Sequence, residues 1–284
     1  MKAMILGAGL GTRLKPLTDS RPKALVELFG RTLLEITIQR LKSFGVTELI
    51  INVHHFPDMI TDYLKSRNNF GLRIEISRED VLLDTGGGLK KAAWFFLESP
   101  ARHSFTPAPS GPLATRHSLR EPFILHNVDV ISSIDLARMM QFHKEHHAVA
   151  TLAVQQRESS RQLLFNDHLQ LVGRRSPDEK ATPVDSSSAH SPLATRHSPL
   201  PQSPEPSPLH PLAFSGIHII SPRLLPMITE TGVFSIIPTY LRLAAQNQKI
   251  LAFRADQYYW RDLGRPSDLT QAALDLESGL PAEN

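Results

Sequence analysis

The sequence predicts an α/β fold with a doubly wound, mostly parallel, Rossmann-like sheet. Two observations carry that expectation. Short apolar runs alternate with amphipathic stretches through the first half of the chain, the pattern of consecutive βαβ units. The first apolar run also passes directly into a glycine-rich, basic loop, which is how ligand-binding α/β sheets begin.

Met4 to Leu6 is the first predicted strand. Leu33 to Phe44 places Leu34, Ile38 and Leu41 at helical spacing, and Gly45 ends that helix as a left-handed cap. Leu49 to Val53 is the second strand, Asp58 to Ser66 the second helix and Ile74 to Ser77 the third strand. A helix opens at Thr85-Gly86-Gly87-Gly88 and runs through Leu97. Phe123 to Leu125 is a strand that stops at His126-Asn127-Val128-Asp129, and Val149 to Val154 is another. The segments Val172-Gly173-Arg174 and Ala213 to Ile217 are expected as neighbouring strands.

Two segments, 99–121 and 176–211, interrupt this order and hold 13 of the chain's 22 prolines. Both contain the heptapeptide Pro-Leu-Ala-Thr-Arg-His-Ser, at 112–118 and again at 192–198, and neither shows apolar periodicity. Such composition buries too little surface to offset its ordering entropy, so both read as disordered, low-complexity insertions in a single domain over 1–275.

Composition removes several classes of function. With 284 residues and 41% hydrophobic content the chain supplies an ordinary globular core. No stretch approaches the ~20 apolar residues of a membrane helix, and no signal peptide is expected, so the reading is a cytoplasmic protein with no membrane partner. A net charge of +3 without basic runs interleaved by aromatics does not suggest nucleic-acid binding. The absence of cysteine excludes disulfides and thiolate chemistry. Of the 13 histidines, five lie in the proline-rich segments, and His143, His146 and His147 fall on a helix face where solvated or capping roles are expected.

The chemistry concentrates in residues 5 to 25. Gly7, Gly9 and Gly11 remove side chains where backbone N–H groups must approach phosphate, Thr12 adds a hydroxyl, and Arg13 and Lys23 supply positive charge. Two other glycine-loop classes fail on spacing. A dinucleotide fingerprint needs glycine where Thr12 stands and an acidic residue closing the second strand, which instead ends in His54-His55. A P-loop needs Gly-Lys-Ser or Gly-Lys-Thr, and neither follows. Asp129, just past an apolar strand, stands at the carboxyl edge where open α/β sheets bind ligands.

The string from Gly9 through Thr18 and on to Pro22-Lys23 resembles the signature G-x-G-T-R-L-x-P-L-T…P-K of the sugar-1-phosphate nucleotidyltransferases, with every fixed position present. The resemblance implies a GT-A-like nucleotidyltransferase fold, an arginine (Arg13) facing the triphosphate and a lysine (Lys23) near the reacting phosphoryl. It implies two metal-binding aspartates, Asp129 from an N-G-D strand end and Asp262 from a W-x-D-x-G-T-P segment, holding Mg2+. Both matches carry a change: Val128 replaces the glycine, which puts the width of the sugar pocket in question, and Arg265 replaces the threonine, which adds charge near the metal. Arg13, Lys23 and Asp129 are thus the expected catalytic residues. Nucleotide contacts are expected from Leu6, Gly7, Ala8, Gly9, Gly11, Thr12, Arg13 and Lys23, together with Thr85, Gly86 and Gly87 of an L-x-T-G-G-G segment. Asn127, Ser215 and Gly216 are expected beside the sugar, the last two from the family's F-S-G-I segment. The family's Glu-Lys-Pro lysine has no clear counterpart. Arg174, Arg175 or Lys180 would substitute, whereas Arg157 and Arg161 read as exposed charges.

The implied reaction joins a nucleoside triphosphate, UTP or GTP, to a sugar 1-phosphate with release of pyrophosphate. UTP with N-acetylmuramate 1-phosphate is the expected pair, from the Thr85-Gly86-Gly87-Gly88 turn and the lack of a C-terminal β-helix repeat. GTP with mannose 1-phosphate is the alternative, and a non-catalytic subunit that senses nucleotide sugar is the rival from another class. A monomer or small homo-oligomer is expected.

Overall fold

In a computed structural model that describes residues 1–97, 121–176, 179–183 and 208–279, the first half of the chain forms a parallel ladder. Strand β1 (Lys2–Leu6) lies at its centre; after the short hairpin β2 (Glu27–Leu28) and β3 (Arg31–Thr32) come β4 (Glu48–Val53), β5 (Arg73–Arg78) and β6 (Phe123–Asn127). The order across this half is β6-β1-β4-β5, all parallel, with Met4 facing both Ile50 and Leu125. Along β1, Met4 turns to one core, shared with Ile50 and Leu125, while Ala3 and Ile5 turn to a second, shared with Leu49, Ile51 and Ile124. Both faces are covered, which is why these strands read as unbroken apolar runs.

Helices α1 (Leu33–Ser43) and α2 (Pro57–Ser66) close the second core through Leu34, Ile38, Leu41, Ile60 and Leu64. The start of α1 is capped by Thr32, whose hydroxyl accepts the Glu35 amide at 3.1 Å, and Gly45 follows the other end at φ +80°. On the opposite face lie α3 (Asp84–Lys91) and α4 (Ala93–Leu97), so the helix expected to run unbroken to Leu97 is two helices divided at Ala92.

Beyond β6 the sheet turns mostly antiparallel. After β7 (Val130–Ser132) and α5 (Leu136–Glu145), strands β8 (Ala150–Gln155), β9 (Gln162–Phe165), β10 (Leu171–Ser176) and β11 (Glu179–Pro183) precede the long β12 (His210–Ile220). β12 runs antiparallel to β6, β8 and β9, so the sheet is mixed, with the parallel ladder of its first half where the sequence predicted it and a further parallel pair at its far end. β9 lies between β10 and β12, which are therefore not direct neighbours. β6 continues two residues past its predicted end because His126, fully buried, pairs with Ile5 and Ile217. The chain closes with α6 (Ile236–Ala245), β13 (Ile250–Arg254), β14 (Trp260–Asp262) and α7 (Pro266–Glu277).

The insertion expected over 99–121 lies outside the described residues except at Glu121. That over 176–211 lies outside them except for its margins, where β11 pairs antiparallel with β10 and β12 begins. His143, read as a solvated or capping group, is instead 1% exposed, with its ring nitrogens 2.9 Å from the Thr151 and Ser221 hydroxyls. Helix α5 packs on β8, and His143 is its buried polar contact with that strand. Among the described residues no helix is long and apolar enough to cross a membrane.

A third, smaller core joins Leu14, Val26, Leu28 and Leu33 to Leu263, Leu269 and Ala272. It ties the loop after β1 to the segment after β14, at the carboxyl edge of β1.

Candidate active site

At that edge the glycine loop leaves β1. The Gly7 amide donates to Asn52 Oδ1 at 2.8 Å, and Asn52 Nδ2 donates to Glu79 Oε1 at 2.8 Å, which fixes the first turn of the loop from behind. Gly11 is left-handed at φ +66°, and a Cβ there would stand 2.8 Å from the Thr18 side chain, so both backbone and space demand glycine. Its carbonyl accepts the Leu14 amide and the Thr18 hydroxyl, each at 2.8 Å. The resulting turn over Thr12–Leu14 buries Leu14 and leaves Thr12 and Arg13 exposed.

Lys23 lies in a second short turn and is buried, and its ammonium ion-pairs with the Asp129 carboxylate. Asp129 sits between β6 and β7. Because β14 pairs with β7, with Asp262 opposite Val130, and because the Leu263 amide donates to the Asp129 carbonyl at 2.7 Å, Asp262 arrives beside Asp129. Burial raises the Asp262 pKa above the ordinary carboxylate value, and the neighbouring Asp129 charge raises it further, while Lys23 and Arg13 oppose the shift. A Cβ on Gly264 would stand 2.5 Å from Asp262 Oδ1 and 2.8 Å from an Arg13 guanidinium nitrogen. Arg13, Lys23, Asp129 and Asp262, spread over 250 residues of sequence, thus form one cluster.

The cleft beside this cluster has a volume of about 380 Å3 and is lined by Leu6, Gly7, Gly9, Gly11, Thr12, Arg13, Lys23 and Asp129, with Leu10, Leu82, Val128 and Gly264. Ala8, 4% exposed, is not in its lining. Val128 lines the cleft but is 5% exposed and packs in the core against α1, and Arg265 is exposed at the start of α7. Among the described residues no three His, Asp or Glu side chains converge. The two facing carboxylates are hard oxygen donors of the kind a divalent ion takes, and a ligand phosphate would complete such a set.

The glycines of the Thr85-Gly86-Gly87-Gly88 turn, expected to let backbone approach a ligand, pack closely on the protein itself. A Cβ on Gly86 would lie 2.3 Å from the Phe234 ring, one on Gly87 2.6 Å from the Gly232 carbonyl, and one on Gly88 2.8 Å from Asn52 and Glu79. The Gly86 and Gly87 amides both donate to the Phe234 carbonyl, and the Thr85 hydroxyl accepts the Ile236 amide at 3.0 Å. None of the three lines the cleft, where Leu82 stands instead.

Asn127, Ser215 and Gly216 do meet. Gly216 bends β12 at φ +75°, where the pairing with β8 slips, and a Cβ on it would stand 2.9 Å from Asn127 Nδ2. Ser215 is fully buried with its hydroxyl unpartnered, and its carbonyl accepts the Trp260 indole N–H at 2.7 Å.

Arg157, read from sequence as an exposed charge, is half-buried: its guanidinium lies 3.7 Å from the Trp260 ring centre and donates to the Phe214 carbonyl at 2.8 Å. Burial lowers its pKa, and Asp262 opposes that shift. Asn52, Glu79 and Leu82 are the other residues that sequence reasoning missed. Asn52 interrupts an apolar strand with a polar side chain, the one signal that pointed to it.

The nucleotidyl transferase family profile matches residues 2–162. An N-acetylmuramate alpha-1-phosphate uridylyltransferase of Caulobacter vibrioides is 48% identical over 101 residues, which is 34% of this chain and 42% of that protein. Mannose-1-phosphate guanyltransferase beta-B of Xenopus laevis is 30% identical over 280 residues, 98% of this chain and 65% of that protein. The chain thus spans less than two thirds of either relative. Among solved structures, HddC from Yersinia pseudotuberculosis complexed with GMP-PN superposes with a TM-score of 0.67 at 19% identity, covering 97% of this chain and 99% of that one, a likeness of fold.

Proposed function

This chain belongs to the nucleotidyl transferase family, and we propose from that premise that it transfers a nucleoside monophosphate from a nucleoside triphosphate to a sugar 1-phosphate. The observation that carries the reading is the convergence of Arg13, Lys23, Asp129 and Asp262 at the mouth of the glycine loop. An oxygen of the sugar phosphate attacks the α-phosphorus, a new P–O bond forms, and the bond between the α-phosphorus and its bridging oxygen breaks, its electron pair leaving on pyrophosphate. Catalysis of this step is positioning and charge neutralisation.

Arg13, exposed at the cleft mouth, suits bidentate contact with the triphosphate tail. Lys23 is a compact charge whose present partner is Asp129, and it is placed to turn from that carboxylate to the reacting phosphoryl. Neither needs to exchange a proton. Asp129 and Asp262 are the residues that would hold magnesium, which when bound supplies charge neutralisation on the phosphates. Gly9, where a Cβ would meet nothing within 4 Å, leaves open space for the nucleotide.

The substrate pair we favour is UTP with N-acetylmuramate 1-phosphate, supported by the 48% identity to the Caulobacter uridylyltransferase. GTP with mannose 1-phosphate is the second reading, favoured by the match to the Xenopus guanyltransferase, which runs along 98% of the chain. The test is pyrophosphate release with magnesium, with UTP, GTP and the other triphosphates each paired with N-acetylmuramate, mannose and glucose 1-phosphates. One productive pair fixes base and sugar together. Binding of a nucleotide sugar without pyrophosphate release from any pair would replace the enzyme with a sensor.

A further inference from the structure

Asp262 reaches the cluster on a strand of only three residues, and what holds that strand differs on its two sides. On the side toward α7, the Tyr259 hydroxyl and the Arg261 guanidinium both donate to Asp275, each at 2.8 Å. Toward β12, the contacts are Arg157 and Trp260. The Arg157 guanidinium lies 3.7 Å from the centre of the Trp260 ring, donates to the Phe214 carbonyl at 2.8 Å, and has its Nε buried without a partner. The Trp260 indole donates to the next carbonyl along, that of Ser215.

Arg157 therefore touches β12 directly and β14 through an aromatic face, two residues before Asp262. Among the described residues no carboxylate lies within ion-pair distance of it, so its contact with the Trp260 ring face and its hydrogen bond to the Phe214 carbonyl, rather than a salt bridge, fix its place. A guanidinium stacks flat on indole while its edge N–H groups donate in plane, a combination an ammonium does not reproduce.

We propose that Arg157 is a positioning residue for Asp262: clamped between the Phe214 carbonyl and the Trp260 ring, it fixes the carboxylate opposite Asp129 and so sets the affinity of the aspartate pair for a divalent cation. The kinetic part rests on the nucleotidyl transfer reading, and the binding part does not. Residues that orient metal ligands from behind change affinity or rate by about 10- to 100-fold when replaced, which sets the size of the expected effect.

The experiment uses Trp260 as its own reporter. The chain has two tryptophans, and Trp94 lies on α4, 41% exposed and outside the site, so in a Trp94→Phe background the emission is that of Trp260. Mn2+ alone, a paramagnetic quencher, is titrated into that protein and into Arg157→Lys and Arg157→Gln versions of it. Arg157→Lys keeps the charge and loses the stack, and Arg157→Gln serves if the lysine variant fails to fold. The expected result is half-quenching at about tenfold higher Mn2+ in either variant. With the productive substrate pair, kcat falls by a similar factor and KM for the sugar 1-phosphate stays within about twofold. Three results overturn the proposal: half-quenching unmoved in both variants, no quenching in the parent, or a rise confined to KM for the sugar phosphate, which would make Arg157 a direct contact of the substrate. Should no pair release pyrophosphate, the transfer reading fails while the Mn2+ titration still decides the role of Arg157.

Discussion

Lys23 and Asp129 show how much a single buried pair determines. Their side chains are 10% and 16% exposed, and Asp262 adds a second carboxylate against them. Replacing Lys23 by methionine leaves two facing carboxylates with Arg13 as their remaining cation in the cluster. Divalent cations should then bind more tightly, because the ammonium no longer competes for Asp129, while turnover falls by about 100-fold or more for want of charge at the reacting phosphoryl. Calorimetric titration of Mg2+ beside steady-state rates reads both, and weaker binding together with weaker turnover would show that Lys23 props the site open rather than serving it. Asp129→Asn should act the other way, losing metal affinity and turnover together, also by about 100-fold. Near-normal turnover in that variant would remove Asp129 from the metal pair. The convergence of Arg13, Lys23 and Asp129 was legible in the sequence because a basic glycine loop and an aspartate just past an apolar strand both fall at the carboxyl edge of an α/β sheet. Arg157 was not, because an arginine followed by Glu-Ser-Ser reads as solvated, and only the meeting of β12 with β14 supplies the ring on which it lies.

Glycine clusters at the ends of elements carry two different meanings, and the two in this chain divide between them. The loop after β1 is open at Gly9 and lines the cleft, whereas the three glycines of α3 are closed by Phe234, Gly232 and the Asn52–Glu79 pair. Each holds three glycines, and what distinguishes them is the partner surface, for Gly86 and Gly87 contributed by a segment some 150 residues later. Gly86→Ala should therefore act on stability: its Cβ would overlap the Phe234 ring and carbonyl, and overpacking of that kind costs about 1–3 kcal/mol. Urea denaturation measures the loss, and the KM for nucleoside triphosphate should move less than about twofold in the folded fraction. A large rise in that KM with unchanged stability would return these glycines to the nucleotide. The parallel half of the sheet was readable because apolar runs buried on both faces leave a plain signal. The antiparallel half was not, because β12 changes partners at Gly216 and its pairing with β6, β8 and β9 leaves no local mark in sequence.

At the scale of the molecule, three buried histidines tie the sheet's stability to pH. His126 on β6 and His218 on β12 are held down to about 4 and about 3 chiefly by burial, and His143 on α5 to about 4 for the same reason. Their hydrogen bonds suit neutral rings: His218 lies 2.9 Å from the Tyr240 hydroxyl, and His143 lies between two hydroxyls. With folded values below the unfolded value of about 6.5, each histidine is neutral in the native chain while the unfolded chain binds a proton. Stability is thus fully present above about pH 6.5 and falls as pH drops through the window toward 4. Each contributes a slope of about 1.4 kcal/mol per pH unit there, so three give about 4 kcal/mol per unit, large against a typical domain stability of about 5–15 kcal/mol. Between pH 6.5 and 5 ordinary carboxylates are still ionised, so the histidines dominate. Urea midpoints taken across that interval should fall steeply, and His143→Asn should flatten the dependence by about a third. A flat profile from pH 7 to 5 would mean that all three rings take up protons without unfolding the sheet, and that the space around them admits water.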